Sequence, residues 1–226
     1  MKTKILNKPL WLRVFLVALI CAANILFAVK LIYGWKKAGV LISASKASSD
    51  IPGILFQNIL TCAVPILLFI IFLLLLKKDF PDEMYLKIKG RWQWGGVLVL
   101  LVVLTGAVIY FLISREDRIS TIYCVFYYTF FIAFTEEFVC RDVCTWLLKN
   151  EKSEIRYLIP NFFFAFMHIF NYSGWEAFTS TYVLKFLFHD LIILLAVGCF
   201  FQLLKEKTGT IWIPVLVHAI WDFIVP

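Results

Sequence analysis

"TIYCVFYYTFFIAFTEEFVCR", residues 121–141, opens with fifteen uncharged, mostly apolar residues and then places Glu136, Glu137 and Arg141 within little more than one helical turn. The apolar lead-in reads as the interior of a membrane helix, because runs of about 18 or more such residues span a bilayer. Working outward, similar segments fall at 12–33, 54–76, 94–113, 119–148, 156–171, 178–204 and 208–225. The chain is 62% hydrophobic with a mean hydropathy of +0.87, above the roughly half-apolar composition of soluble domains. The expected fold is an all-α, polytopic transmembrane bundle of about seven spans, eight being possible, in a multi-pass cell-membrane protein. The 119–148 segment exceeds a bilayer's needs, so its second half is expected to emerge as an amphipathic turn or the helix to tilt.

The net charge of +7 does not indicate a nucleic-acid partner, since no basic motif or soluble module accompanies it. The basic residues instead cluster in short loops as topology signals. With the N-terminus cytoplasmic, fourteen fall inside: Lys2 to Arg13, Lys77 to Arg91, Lys149 to Arg156, and Lys205 with Lys207. Five fall outside: Lys36, Lys37, Lys46, Arg115 and Arg118. The basic N-terminus with its apolar run imitates a signal peptide, but the run continues beyond a typical signal core and reads as a retained first span. The six cysteines lie in apolar stretches without a CxxC pair and read as small packing residues.

Ionisable groups inside a membrane cost about 2.5–3.5 kcal/mol on insertion scales and are functional candidates by default. The C-terminal half holds Glu136, Glu137 and Arg141 on span four, His168 on span five, and His218 with Asp222 on span seven. Glu136 precedes Lys149 by 13 residues, His168 follows Arg156 by 12, and His218 follows Lys207 by 11. At about 1.5 Å per residue these side chains share a level roughly 16–20 Å from the cytoplasmic ends. Glu137 and Arg141 are spaced i,i+4 and can pair on one face, a buried ion pair that locks packing, while Glu136 points elsewhere. Phe164 with His168, and His218 with Asp222, share faces by the same spacing.

A glutamate in apolar surroundings binds a proton more readily than in water. Beside an imidazole it can serve as a general base and take a proton from water. A second imidazole can donate to the oxyanion formed when water attacks an amide carbonyl. That is peptide-bond hydrolysis without a covalent intermediate or a cofactor. Glu136, His168 and His218 could instead hold zinc, although the HExxH helix of zinc peptidases is absent.

"EEFVCR" (136–141), "FAFMH" (164–168) and "HAIWD" (218–222) match, in order, the EExxxR, FxxxH and HxxxN-or-D motifs of the CPBP family, and the chain resembles it over residues 119–226. This family, also called Abi, contains CAAX prenyl proteases and bacteriocin-processing or bacteriocin-immunity proteins. The approach "TGTIWIPVLVHA" also resembles the family's lead-in to its last motif. Residues 1–118 are expected to be N-terminal transmembrane helices outside the motif-bearing core. The resemblance implies an intramembrane, metal-independent glutamic endopeptidase acting on a membrane-associated peptide or protein. It implies Glu136 as general base, His168 as the residue orienting water, and His218 with Asp222 at the oxyanion. Glu137, Arg141 and Phe164 support them. The prenyl-protease branch has asparagine where this chain has Asp222, and an ionised aspartate cannot donate to an oxyanion. Asp222 is therefore expected to orient His218 or to stay protonated.

The alternative is a non-enzymatic membrane protein conferring immunity or binding a partner such as a sensor kinase. His189, beside Asp190, is expected to be a core or interfacial histidine, and Lys185 to snorkel outward. The tryptophans, including Trp11, Trp35, Trp92, Trp94 and Trp212, read as interface anchors. Phenylalanines 162–166 read as lipid-facing or packing surface, or as a groove for an apolar substrate.

Overall fold

The computed structural model describes residues 5–170 and 179–225, and within them the chain is helical without a strand. Lys2 and Lys4 of the charge count, and the expected span ends at 171 and 178, lie outside these residues. Helix α1 spans Leu10–Lys37, α2 Ile51–Thr61, α3 Ala63–Glu83, α4 Arg91–Ser114, α5 Arg118–Leu147, α6 Ser153–Met167, α7 Ser180–Thr208 and α8 Trp212–Ile224. Four of them, α1, α4, α5 and α7, are long and apolar enough to cross a membrane, and α2 with α3 would make a fifth span bent by 58°. Pro65 accounts for the bend: its ring displaces the carbonyl four residues earlier and it offers no N–H. The other two expected spans are short. Fifteen residues in α6 and thirteen in α8 reach about 22 and 20 Å, less than the roughly 30 Å hydrocarbon core.

Local signals set the helix ends. Asp117 caps α5, its Oδ1 accepting from the Ser120 N–H at 3.0 Å, and the interactions with Ser120 and Ser48 hold its carboxyl below the usual aspartate range. Asp50 caps α2 through the Gly53 N–H at 2.9 Å. Gly209 ends α7 at φ +68°, a left-handed conformation that costs other residues more. An added Cβ there would also meet Gln93 Nε2 at 3.1 Å, and that amide donates to the Thr208 carbonyl at 2.6 Å.

Helix α5 is the axis of the bundle. The sequence offered two fates for its second half, emergence or tilt; instead every residue from Phe138 to Leu148 is buried in protein. Phe138, Val139, Val143, Cys144 and Trp146 to Leu148 lie in the largest apolar cluster, with Val17 and Cys21 of α1, Phe72 of α3, and Val215 and Ala219 of α8. The length beyond a bilayer's thickness is covered by neighbouring helices. Two π-helical stretches, Tyr127–Phe134 and Phe138–Cys144, flank the turn Thr135–Glu137, and such widened turns recur at functional sites. Trp212, expected at an interface, instead packs inward: it stacks on Phe134 with centroids 5.5 Å apart and donates to the Leu86 carbonyl at 2.9 Å. Trp11, Trp92 and Trp94 are exposed near helix starts. The cysteines are free thiols, all buried except the half-buried Cys199.

Candidate active site

Helix α5 presents its two adjacent carboxylates to different surroundings. Glu137 is fully buried and faces Arg141 Nη1 at 3.5 Å on the same helix. It also receives His218 of α8, whose Nδ1 lies 3.0 Å from Glu137 Oε1. Because Nδ1–H donates to that carboxylate, the ring is oriented with Nε2 pointing the other way. Nε2 stands 3.8 Å from Glu136 Oε2 and 3.4 Å from Asp222 Oδ2. One imidazole thus bridges three carboxylates, and Phe201 of α7 stacks on it with centroids 5.0 Å apart. The double engagement of Glu137, by Arg141 and by His218, was not anticipated from its sequence spacing, which displayed only the first partner.

Arg141 is buried and its guanidinium lies over the Phe164 ring at 4.7 Å. The same Phe164 ring meets His168 edge-on, with centroids 4.4 Å apart. His168 is buried at the end of α6, its Nδ1 2.8 Å from the Phe164 carbonyl. Donation to that carbonyl leaves Nε2 of a neutral ring as an acceptor. Phe164 is therefore the bridge between the His168 turn and the α5 ion pair. The phenylalanine run divides accordingly, Phe164 turning inward while Phe162 is exposed and stacks on Phe166.

Glu136 keeps 21% of its side chain exposed and lines a cavity of about 1100 Å³. The wall combines apolar residues such as Ile25 and Val29 with polar Asn24, Asn58, Tyr127 and Tyr128, and Phe170, two residues after His168, joins it. At about the upper end of the volumes typical of ligand pockets, the space can hold a peptide segment in front of Glu136.

Two packing features escaped the sequence. Gly198 of α7 admits Arg141 and Asn161: a Cβ there would come within 2.7 Å of Asn161 Oδ1 and 3.0 Å of Arg141 Nη2. Asn161 in turn donates to the Tyr157 carbonyl at 2.7 Å. The second feature is another buried ion pair one residue beyond Arg141, in which Lys205 Nζ lies 3.0 Å from Asp142 Oδ1. Lys205 also donates to the Arg141 carbonyl and sits 4.5 Å above the Tyr85 ring. Its place in the sequence puts it among the loop charges, yet it is 2% exposed. His189, expected as a core or interfacial histidine, is not in the core: it is exposed on α7, with Nδ1 2.7 Å from Asp190 Oδ1. Lys185 is exposed on α7. Among the described residues, no group of three or more His, Cys, Asp or Glu side chains has the arrangement of a metal site.

Residues 118–224 match the family model of the Rce1-like type II CAAX prenyl endopeptidases. These residues form an Rce1-like domain. It comprises α5 to α8, the helices that carry Glu136, His168 and His218. The match supports an endopeptidase of the CAAX type at the level of the family, and together with the apolar helices it indicates a multi-pass membrane protein. No curated protein and no solved structure matches the chain.

Proposed function

We propose that the chain is a metal-independent intramembrane glutamic endopeptidase that hydrolyses a peptide bond in a membrane-associated peptide or protein. The observation that carries this reading is the division between neighbours: Glu137 is spent on Arg141 and His218, while Glu136 faces the cavity beside His218 Nε2. Glu136 takes a proton from water, and the hydroxide attacks the peptide carbonyl carbon. With His218 doubly protonated, Nδ1–H is held by Glu137 and Nε2–H donates to the oxyanion. Collapse of the tetrahedral adduct breaks the C–N bond as Glu136 passes the proton to the leaving amine. His168, through its acceptor Nε2, orients the water. Asp222, 3.4 Å from His218 Nε2, positions that ring, since an ionised carboxylate would repel the oxyanion.

Purified protein is expected to cleave a membrane-associated peptide in the presence of chelator, and Glu136→Gln or His168→Ala to abolish cleavage. Cleavage retained by Glu136→Gln removes the reading and favours a non-enzymatic membrane role, such as immunity or binding of a sensor kinase. Stoichiometric zinc in the purified protein, with chelator-sensitive cleavage, would favour the metal alternative at Glu136, His168 and His218.

A further inference from the structure

We infer that the cavity leading to Glu136 opens on the extracytoplasmic face, so that its substrate is an exported peptide or the extracytoplasmic segment of a membrane protein. This deepens the peptidase reading and rests on it. Contacts sort the helix ends into two layers. At one end Arg13 pairs with Glu151, and Lys149 Nζ lies 2.8 Å from Glu83, joining the start of α1 to the ends of α3 and α5. At the other, the Ser48 N–H donates to Ser120 Oγ at 2.9 Å and Asn58 to the Tyr123 hydroxyl at 2.7 Å. These bonds join the loop after α1, and α2, to the start of α5.

The two layers differ in charge. The first holds twelve of the described basic residues, from Lys8 through Lys207, of which Arg13 and Lys205 are buried, and the second holds Lys36, Lys37, Lys46, Arg115 and Arg118, with Lys30 and Lys185 exposed on α1 and α7 nearer its ends. Loops rich in Lys and Arg stay cytoplasmic, which sets the second layer outside. The cavity belongs to that second layer. Its rim is formed by exposed Lys36, Leu41, Ser43 and Ser45, and its wall descends along α1, α2 and α5 to Glu136. On the basic side of Glu136, Phe138, Val139 and Val143 of α5 pack with Val17 and Cys21 in the largest apolar cluster, which fills that direction with protein. A prenylated chain terminus held at the cytoplasmic surface faces this packed side.

The test is thiol labelling in intact cells that express the full chain. Lys46→Cys and Glu116→Cys lie on the rim layer, Lys152→Cys and Lys207→Cys on the basic layer, all at exposed positions. A membrane-impermeant maleimide is expected to modify the first two in intact cells and the second two only after permeabilisation, with the unsubstituted chain as background. Thr61→Cys in a Cys62→Ala background, on the cavity wall, is expected to react with a small impermeant methanethiosulfonate in intact cells. Protection of Lys46→Cys and Glu116→Cys together with labelling of the basic-layer pair overturns the inference. Labelling does not depend on cleavage: reversed labelling with Glu136-dependent cleavage sinks only the side of access, whereas the expected labelling with cleavage retained by Glu136→Gln sinks the peptidase reading.

Discussion

Helix α5 carries two buried ion pairs side by side, and they have opposite surroundings. Glu137–Arg141 is extended by His218 to Glu136 and so to the cavity, whereas Asp142–Lys205 is tied to the Arg141 carbonyl and covered by Tyr85. Burying a charge pair is costly, and removing one member strands the other. The first pair therefore holds an imidazole in a chosen orientation, while the second fastens α7 to α5. Proximity in sequence thus says little about role; the partner reached across the bundle decides it.

The comparison breaks most visibly at the second pair. Lys205→Met leaves Asp142 without its cation and is expected to cost about 3–5 kcal/mol, read as a lower thermal midpoint in detergent. The double variant Asp142→Leu/Lys205→Met should recover most of the loss. A single variant as stable as the wild type would show that this pair does not fasten the helices. Next in size is Gly198→Ala, whose Cβ crowds Asn161 and Arg141. Overpacking of this kind costs about 1–3 kcal/mol, and peptidase activity should fall with the displaced guanidinium. An unchanged midpoint and rate would show that the glycine is incidental.

Asp222→Asn sharpens the role of the first cluster. The amide keeps an acceptor for His218, so cleavage is expected within about tenfold of wild type, or ~1.4 kcal/mol, whereas Asp222→Ala should lose more. Equal losses would contradict the positioning role.

The smallest effect concerns Asp117, outside the spans. Its folded carboxyl titrates below the usual range, so its contribution is present above the unfolded value and lost as pH falls through the folded one. Asp117→Asn should flatten part of the decline in thermal midpoint between about pH 5 and 3, with little change at pH 7, since asparagine caps helices about as well. An unchanged decline would remove the cap's part in acid sensitivity.

What could be read from the sequence follows the same divide. Glu137–Arg141, Phe164–His168 and His218–Asp222 are spaced i,i+4, and one helix is enough to bring each pair together. The helical membrane character was written in the apolar runs. Glu137–His218 and Asp142–Lys205 join residues 81 and 63 positions apart, and no local period encodes such partners. Trp212 misled for a related reason: its placement at a helix start fits an interface anchor, and only the position of Leu86 and Phe134 turns it inward. Burial of the second half of α5 likewise depends on the helices around it.

The most direct test of the division between Glu136 and Glu137 is the cleavage rate of Glu136→Gln, measured beside its thermal midpoint at matched protein levels. The account predicts a rate lower by at least about 10²-fold, the lower end of what general-base catalysis contributes, with the midpoint of the wild type. A Glu136→Gln protein that cleaves at the wild-type rate, or that loses activity only because it unfolds, would contradict it.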